Sequence, residues 1–169
     1  MSRIVKNYFL VLVFFFSISS NVTALTLGES FVVEGVGYED MASLSDGRFV
    51  VTWAESQDSI FTISIYAQVF NPDGTKSGNK IPVTTEQMNQ TARPSISSTD
   101  NGGFFVTWEH GDFNNYPDHP PVLTVQAKSF DRNGIPISSQ IIVADDTVGF
   151  HSTLPDISTL SNGRFIVTW

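Results

Sequence analysis

Glu109, His110, Asp112, Asp118 and His119 fall within eleven consecutive positions. Imidazole and carboxylate donors gathered in this way could hold a transition metal. A second set is rich in oxygen donors: Asn71-x-Asp73-Gly74 and Asp131-x-Asn133-Gly134 look like shortened calcium loops. Calcium takes about six to eight oxygen ligands, and its loops usually close on an acidic residue. Here Thr75-Lys76-Ser77 and Ile135-Pro136-Ile137 follow the glycines, with no closing carboxylate, so hairpin turns are the better reading. The His/carboxylate set is interrupted by Asn114-Asn115-Tyr116-Pro117 and followed by Pro120-Pro121, which reads as a flexible surface loop. His151 stands alone. No metal site and no cofactor are expected.

The elements that must carry these residues are set by a repeat. Asp46-Gly47-Arg48-Phe49-Val50-Val51-Thr52-Trp53 returns as Asn101-Gly102-Gly103-Phe104-Phe105-Val106-Thr107-Trp108 and as Asn162-Gly163-Arg164-Phe165-Ile166-Val167-Thr168-Trp169. Aromatic and β-branched runs of this kind read as strands, and the Asp-Gly or Asn-Gly before each supplies the positive φ of a tight hairpin. Shorter alternating stretches precede the turns: Met41–Leu44, Pro94–Ser97 and Pro155–Ser158. A second phrase, Ile65–Phe70, recurs as Val125–Phe130 and leads through the turns at Gly74 and Gly134 to Ile81–Thr84 and Ile141–Ala144. With strands labelled a to d, the order from the lone Phe31–Glu34 onward is d, abcd, abcd, ab.

Four antiparallel strands in 55 to 61 residues, the spacings of the three Trp, match a propeller blade. The expected fold is therefore all-β, with tandem four-stranded, β-propeller-like blades that are incomplete and open. Units run over about 38–93, 94–154 and 155–169. Phe49, Trp53, Phe70, Phe104, Trp108, Phe130, Phe165 and Trp169 recur with the structural period and are expected in the core between units. Trp53 to Phe70 is 17 residues while Trp108 to Phe130 is 22, so the b–c loop varies in length. That loop and the d–a loop share one end of the sheets, and the variation there reads equally as a binding surface or as relaxed loop length.

Arg3 and Lys6, the apolar run Tyr8–Phe16, and the small residues ending in Val22-Thr23-Ala24 form a secretory signal over residues 1–24, cleaved after Ala24. Retention as an uncleaved anchor is the alternative. The run is shorter than the roughly 20 residues of a membrane span, and no second apolar run follows, so no membrane insertion is expected after cleavage. Residues 25–169 then form the secreted or cell-surface protein. Losing two basic and no acidic residues takes the net charge from −8 to −10, which repels phosphate backbones and speaks against nucleic acid as a partner. The chain has no cysteine, so an exported domain must rely on its core. Asn89-Gln90-Thr91 is a glycosylation sequon.

Leu44-Ser45-Asp46-Gly47-Arg48-Phe49-Val50-Val51-Thr52-Trp53, followed by Ile65-Tyr66-Ala67-Gln68-Val69-Phe70-Asn71-Pro72-Asp73-Gly74-Thr75, resembles tandem repeats of very large exported bacterial proteins and of some protist surface proteins. The bacterial ones carry cadherin-like or haemolysin-type calcium-binding modules. The resemblance covers residues 31–169. It implies a propeller-like array with an adhesive role, and it brings no defined chemistry; the calcium-binding nonapeptide is absent here. Ser45-Asp46-Gly47 has the residue types of the Asp-box of sialidase-type propellers, but there Trp follows Gly closely, whereas Trp53 lies six residues after Gly47. Neither an arginine triad nor a nucleophilic Tyr–Glu pair can be assembled. The expectation is a non-catalytic module, not an enzyme, binding a surface or matrix ligand of unknown identity and prone to self-association at its free strand edge. The alternatives are a fragment of an exported glycan-acting propeller enzyme and a truncated product without function.

Overall fold

The computed structural model describes residues 8–11, 31–34, 38–56, 62–84, 88–89, 93–112, 118, 122–145 and 153–169. All regular structure among them is β. Unit 1 consists of β3 (Asp40–Ser43), β4 (Phe49–Ser56), β5 (Thr62–Phe70) and β6 (Lys76–Pro82), in that spatial order, when β1 (Tyr8–Val11) and β2 (Phe31–Glu34) are counted first. The short β7 (Met88–Asn89) adds to β5. Unit 2 is β8 (Ser95–Ser98), β9 (Phe104–Asp112), β10 (Val122–Phe130) and β11 (Ile141–Ala144), again an antiparallel meander. Unit 3 contributes β12 (Asp156–Thr159) and β13 (Phe165–Thr168). The lone d strand Phe31–Glu34 pairs antiparallel with Tyr8–Val11, part of the apolar run read as a leader. The rest of that leader, the cleavage position and His151 lie outside the described residues, as does His119.

Five hairpin turns share one construction. In each, the residue before the turn and the glycine at its end close a three-residue loop, as in Leu44 N to Arg48 O at 2.7 Å and Gly47 N to Leu44 O at 3.1 Å. The glycine must adopt positive φ, from 75° at Gly163 to 87° at Gly102, a region that other residues enter only with strain. The Asp or Asn before the glycine caps the loop by accepting from the amide two residues on, as Asp46, Asn101 and Asn162 do. This is the three-residue hairpin with a glycine bulge.

The Thr of each Thr-Trp pair has a clear job in the two complete units. Thr52 Oγ1 donates to the Tyr66 carbonyl at 3.0 Å, and Thr107 Oγ1 to the Gln126 carbonyl at 2.8 Å. Each buried hydroxyl thereby ties strand b to strand c. On the same strand pair Phe49 stacks on Phe70 at 5.2 Å, and Phe104 on Phe130 at 5.1 Å. Opposed residues of an antiparallel pair share a face, so the Phe-x-Val-x-Trp residues and the strand-c Phe form one front face per unit.

The front of unit 2 packs on the back of unit 1. Ile96, Phe104, Val106, Trp108 and Phe130 meet Val50, Ala54, Ile65, Ala67, Val69 and Ile81 in one buried cluster. Phe49, Val51, Trp53 and Phe70 form a second cluster on the front of unit 1. Unit 3 repeats the relation with unit 2 through Phe105 and Phe165, whose rings lie 4.6 Å apart. Six of the eight expected core aromatics are thus buried: Phe49, Trp53, Phe70, Phe104, Trp108 and Phe130. Phe165 is half-buried, and Trp169 is a correction: it is 60% exposed. Among the described residues β13 pairs with β12 alone, so Trp169 has no neighbouring strand on its other side.

Strand d of unit 1 and the a strands also differ in their boundaries from expectation. The first strand d spans Lys76–Pro82 rather than Ile81–Thr84, because Lys76 already pairs with Phe70 immediately beyond the turn. In unit 2 the equivalent segment holds Pro136, which lacks an amide proton, and only an isolated bridge to Phe130 forms there. Strand d therefore starts at Ile141. The a strands begin at Asp40, Ser95 and Asp156, the residues opposite Thr52, Thr107 and Thr168.

Candidate functional site

The three a strands lie side by side, β3 and β12 flanking β8. Asp40, Ser95 and Asp156 occupy the same register in successive units, and they converge. Ser95 Oγ lies 3.0 Å from Asp40 Oδ2 and 3.0 Å from Asp156 Oδ1. Asp40 Oδ2 also accepts from Ile96 N at 2.9 Å, and Asp156 Oδ1 from its neighbour Ile157 N at 2.9 Å. One layer further along, Ser97 Oγ accepts from Thr159 N at 3.0 Å. A hydroxyl has one proton and donates to one carboxylate at a time, so Ser95 serves two neighbours alternately. Replacing Ser95 with Ala removes a side chain that touches both carboxylates and is expected to cost about 1–2 kcal/mol; urea unfolding followed by Trp fluorescence checks it.

A second set of equivalent residues lies two positions earlier, where the d–a loops enter the a strands: Tyr38, Arg93 and Leu154. Tyr38 and Leu154 have φ of 58° and 57°. Glu109 reaches this set from β9. Its carboxylate is 2% exposed, accepts from the amide of Leu154, and lies 3.9 Å from Arg93 Nε. The Arg93 guanidinium in turn sits 5.0 Å from the centre of the Tyr38 ring. In unit 1 the place of Glu109 is taken by the buried Ala54.

The His/carboxylate set is therefore dispersed. Glu109, His110 and Asp112 lie on β9 rather than in the loop, because the β9–β10 ladder continues to the Asp112–Val122 pair. Neighbouring strand residues point to opposite faces, so Glu109 turns to the back of unit 2 while His110 follows Trp108 on the front. Asp118 is exposed in the loop beyond. Among the described residues, no group of three or more His, Cys, Asp or Glu side chains comes together in a way that could hold a metal.

The two calcium-like phrases form turns. Asp73 Oδ1 accepts from Thr75 N at 3.0 Å and Thr75 Oγ1 at 2.7 Å, and Asp131 Oδ1 accepts from Asn133 N and Ile135 N, both at 2.8 Å. These bonds to the Thr75 hydroxyl and amide hold the Asp73 carboxyl below the usual carboxylate range. Asp46 is lowered as well, through its side-chain bond to Arg48 Nε at 2.9 Å and Nη2 at 2.7 Å. A carboxyl lowered by folding stabilises the fold above its unfolded value of 3.8, and that contribution is lost as pH falls through the lower folded value. Asp46→Asn is accordingly expected to flatten the dependence of the unfolding temperature on pH below 3.8 and to leave the neutral-pH slope unchanged; calorimetry across that range tests it.

Sheets stacked front to back with their a strands together are the blades of a propeller. The fold is all-β and propeller-like, with open, incomplete blades. The structure of an α-L-arabinanase from Penicillium chrysogenum, complexed with arabinobiose, matches it with a TM-score of 0.52 and 17% sequence identity. The match covers 73% of this chain and 36% of the arabinanase, so the chain spans well under half of that β-propeller protein's length. At this identity the likeness concerns the fold alone. No protein-family model matches the chain, and neither does any curated protein sequence.

The sequence places Glu109 beside His110 and carries no motif at Asp40, Tyr38, Arg93, Ser95, Leu154 or Asp156. The one available signal was the Trp-based register. Counting back from each Thr-Trp through the turn aligns Asp40, Ser95 and Asp156, but the residue types differ and no motif marks them.

Proposed function

We propose that the chain is a non-catalytic blade module of an exported or cell-surface protein, binding a surface or matrix ligand through the end formed by the b–c and d–a loops. The observation that carries this reading is how three buried or bridging carboxylates near that end are used. Glu109 is taken up by Leu154 and Arg93, and Asp40 and Asp156 by Ser95. They join blades to one another, which is a structural use. The b–c loops differ in length between blades, as ligand-contacting loops on a fixed scaffold do. Support for the extracellular setting comes from the basic and apolar leader sequence and the acidic balance. No helix among the described residues is long and apolar enough to cross a membrane.

The arabinanase likeness favours a second reading, in which these blades are part of a glycan-acting propeller. One experiment separates the two. The purified chain is passed over immobilised arabinan and other polysaccharides, and both retention and newly formed reducing ends are measured. Retention that persists in a Glu109→Gln variant, without release of sugar, supports the binding module. Sugar release lost in that variant supports the enzyme reading and sinks the first. Export is tested separately: mass spectrometry of the protein from an exporting host should find Leu25 at the N-terminus, and an intact Met1 on a membrane-bound product would refute processing.

A further inference from the structure

The basic residues of the blades fall into two groups and one exception. Arg48 is bonded to Asp46, Lys80 to Glu55, Lys128 to the Val83 carbonyl and Arg132 to the Asn101 carbonyl. Lys76 and Arg164 are exposed beside the tight turns. Arg93 stands at the other end of the sheets, where a d–a loop enters an a strand, and among the described residues its guanidinium makes no hydrogen bond. Its Nε lies 3.9 Å from the buried Glu109 carboxylate, the guanidinium carbon lies 5.0 Å from the centre of the Tyr38 ring, and 38% of the side chain is exposed. Arg93 is thus held on two sides, while its Nη groups have no partner among the described residues. Those groups are the end of the fork that grips a planar oxyanion through two parallel bonds.

The equivalents of Arg93 on either side are strained. Tyr38 on blade 1 and Leu154 on blade 3 have φ of 58° and 57°, a region that side chains as large as these occupy at a cost. The chain uses glycine where a turn alone demands positive φ, as at Gly47 and Gly102. At position 38 it has an aromatic residue instead, and that residue is 54% exposed, so packing does not explain it. Strain kept without burial marks a side chain that is aimed at a ligand.

We infer that Arg93 and Tyr38 form a receptor for a uronate unit of an acidic polysaccharide. The Nη fork takes the carboxylate, and the Tyr38 ring offers an apolar face to the C–H bonds of the sugar. This rests on the binding reading of the loop end and names the chemical class of its ligand. A carboxylate on a peptide would also suit the fork, but an exposed ring beside it suits a flat pyranose. Asp40, Asp156 and Glu109 stand around the site and oppose an anion. Each is already bonded to protein donors: Asp40 to Ser95 Oγ and Ile96 N, Asp156 to Ser95 Oγ and Ile157 N, Glu109 to the Leu154 amide. Recognition therefore depends on the geometry of the fork and not on the charge of the surface.

The test compares retention of the purified chain on immobilised polygalacturonate, on its methyl ester, on arabinan and on polyglutamate. The ester keeps the sugar backbone and removes the charge. Polygalacturonate should retain the chain about tenfold better than the ester, the worth of a charged hydrogen-bonded pair, and less well as salt rises. Arg93→Gln should lose that preference. Because it also leaves Glu109 without its cation, Arg93→Lys is the second variant: it keeps a charge beside Glu109, lacks the fork, and should lose the preference too. Tyr38→Gly should weaken retention while the unfolding temperature holds or rises, the reverse of what a packing role would give. Glu109→Gln keeps an acceptor for the Leu154 amide and removes an opposing charge, so it should retain at least as well as the unaltered chain. Equal retention on the ester overturns the inference, as does an Arg93→Lys variant that binds like the unaltered chain. Equal retention on polyglutamate overturns it in favour of an acidic peptide. Retention on arabinan alone overturns it and leaves the binding-module reading standing, whereas sugar release lost in Glu109→Gln sinks that reading as well.

Discussion

Trp108→Ala should be among the most damaging single substitutions in this chain, at about 3–5 kcal/mol, while the same change at Trp169 should cost less than about 0.5 kcal/mol. The two residues end the same Phe-x-Val-Thr-Trp phrase, so the contrast isolates their surroundings. Trp108 is fully buried within the cluster joining blades 1 and 2, among Ile65, Ala67, Phe104 and Phe130. Its removal empties space that a rigid two-sheet sandwich closes only in part, so a cavity term adds to the lost transfer energy. Trp169 is 60% exposed. The Trp108 indole N–H is also buried without an acceptor among the described residues, whereas Trp53 Nε1 reaches Glu55 Oε2 at 3.3 Å; the position of Glu55 is taken in blade 2 by His110. Trp108→Phe, which removes the orphaned donor and keeps a ring, should therefore cost clearly less than Trp108→Ala. Deleting 114–118 from the b–c loop should cost little, because blade 1 spans the same strands with fewer residues. Chemical unfolding of the four variants decides the matter; a loop deletion worse than Trp108→Ala would mean that the repeats have been aligned wrongly.

The parts of this fold legible in the sequence were those where one residue type has one physical use. Asx-Gly beside an aromatic strand, before it at Gly47, Gly102 and Gly163 and after it at Gly74 and Gly134, reads as a tight hairpin, and all five turns are one. The Phe and Trp positions pointed to the packed faces of the two complete units, where six of the eight are buried, while Trp169 is not. Lys76-Ser77-Gly78-Asn79-Lys80 was silent: an outer strand exposed along most of its length needs no apolar pattern, and its backbone pairing alone makes it a strand. The contacts between a strands were silent for another reason. Asp40, Ser95 and Asp156 are 55 and 61 residues apart and differ in type, and their meeting depends on blades stacking in register. Glu109 and His110 are adjacent in sequence yet face opposite ways on β9, so adjacency carries no information about a shared site.

Gly103→Arg is the case where repeat consensus and structure disagree, and the structure should win with a destabilisation of about 1–3 kcal/mol. The position after the turn glycine is Arg48 in blade 1 and Arg164 in blade 3, so a consensus argument would put Arg in blade 2 and expect a gain. In the folded chain a Cβ on Gly103 would stand 2.4 Å from the Phe130 carbonyl oxygen. That oxygen belongs to the backbone beside the Phe104–Phe130 stack, so relief requires moving β10 away from β9 rather than turning a side chain. The neighbouring turn would be disturbed as well, because Gly103 N donates to Asn101 Oδ1 at 3.3 Å and Gly103 O accepts from Thr99 N at 2.8 Å. Gly103→Ala carries the same Cβ without the guanidinium and should show most of the loss, which separates backbone crowding from any charge effect. Arg48→Gly, the reverse change, sacrifices the ion pair to Asp46, an exposed interaction of modest worth, and should cost less than either. Thermal unfolding of the three variants at neutral pH gives the ranking. Should Gly103→Arg raise the unfolding temperature, the close approach of Gly103 to Phe130 is not a constraint of the native fold, and the consensus of the other two blades is the better guide to blade 2.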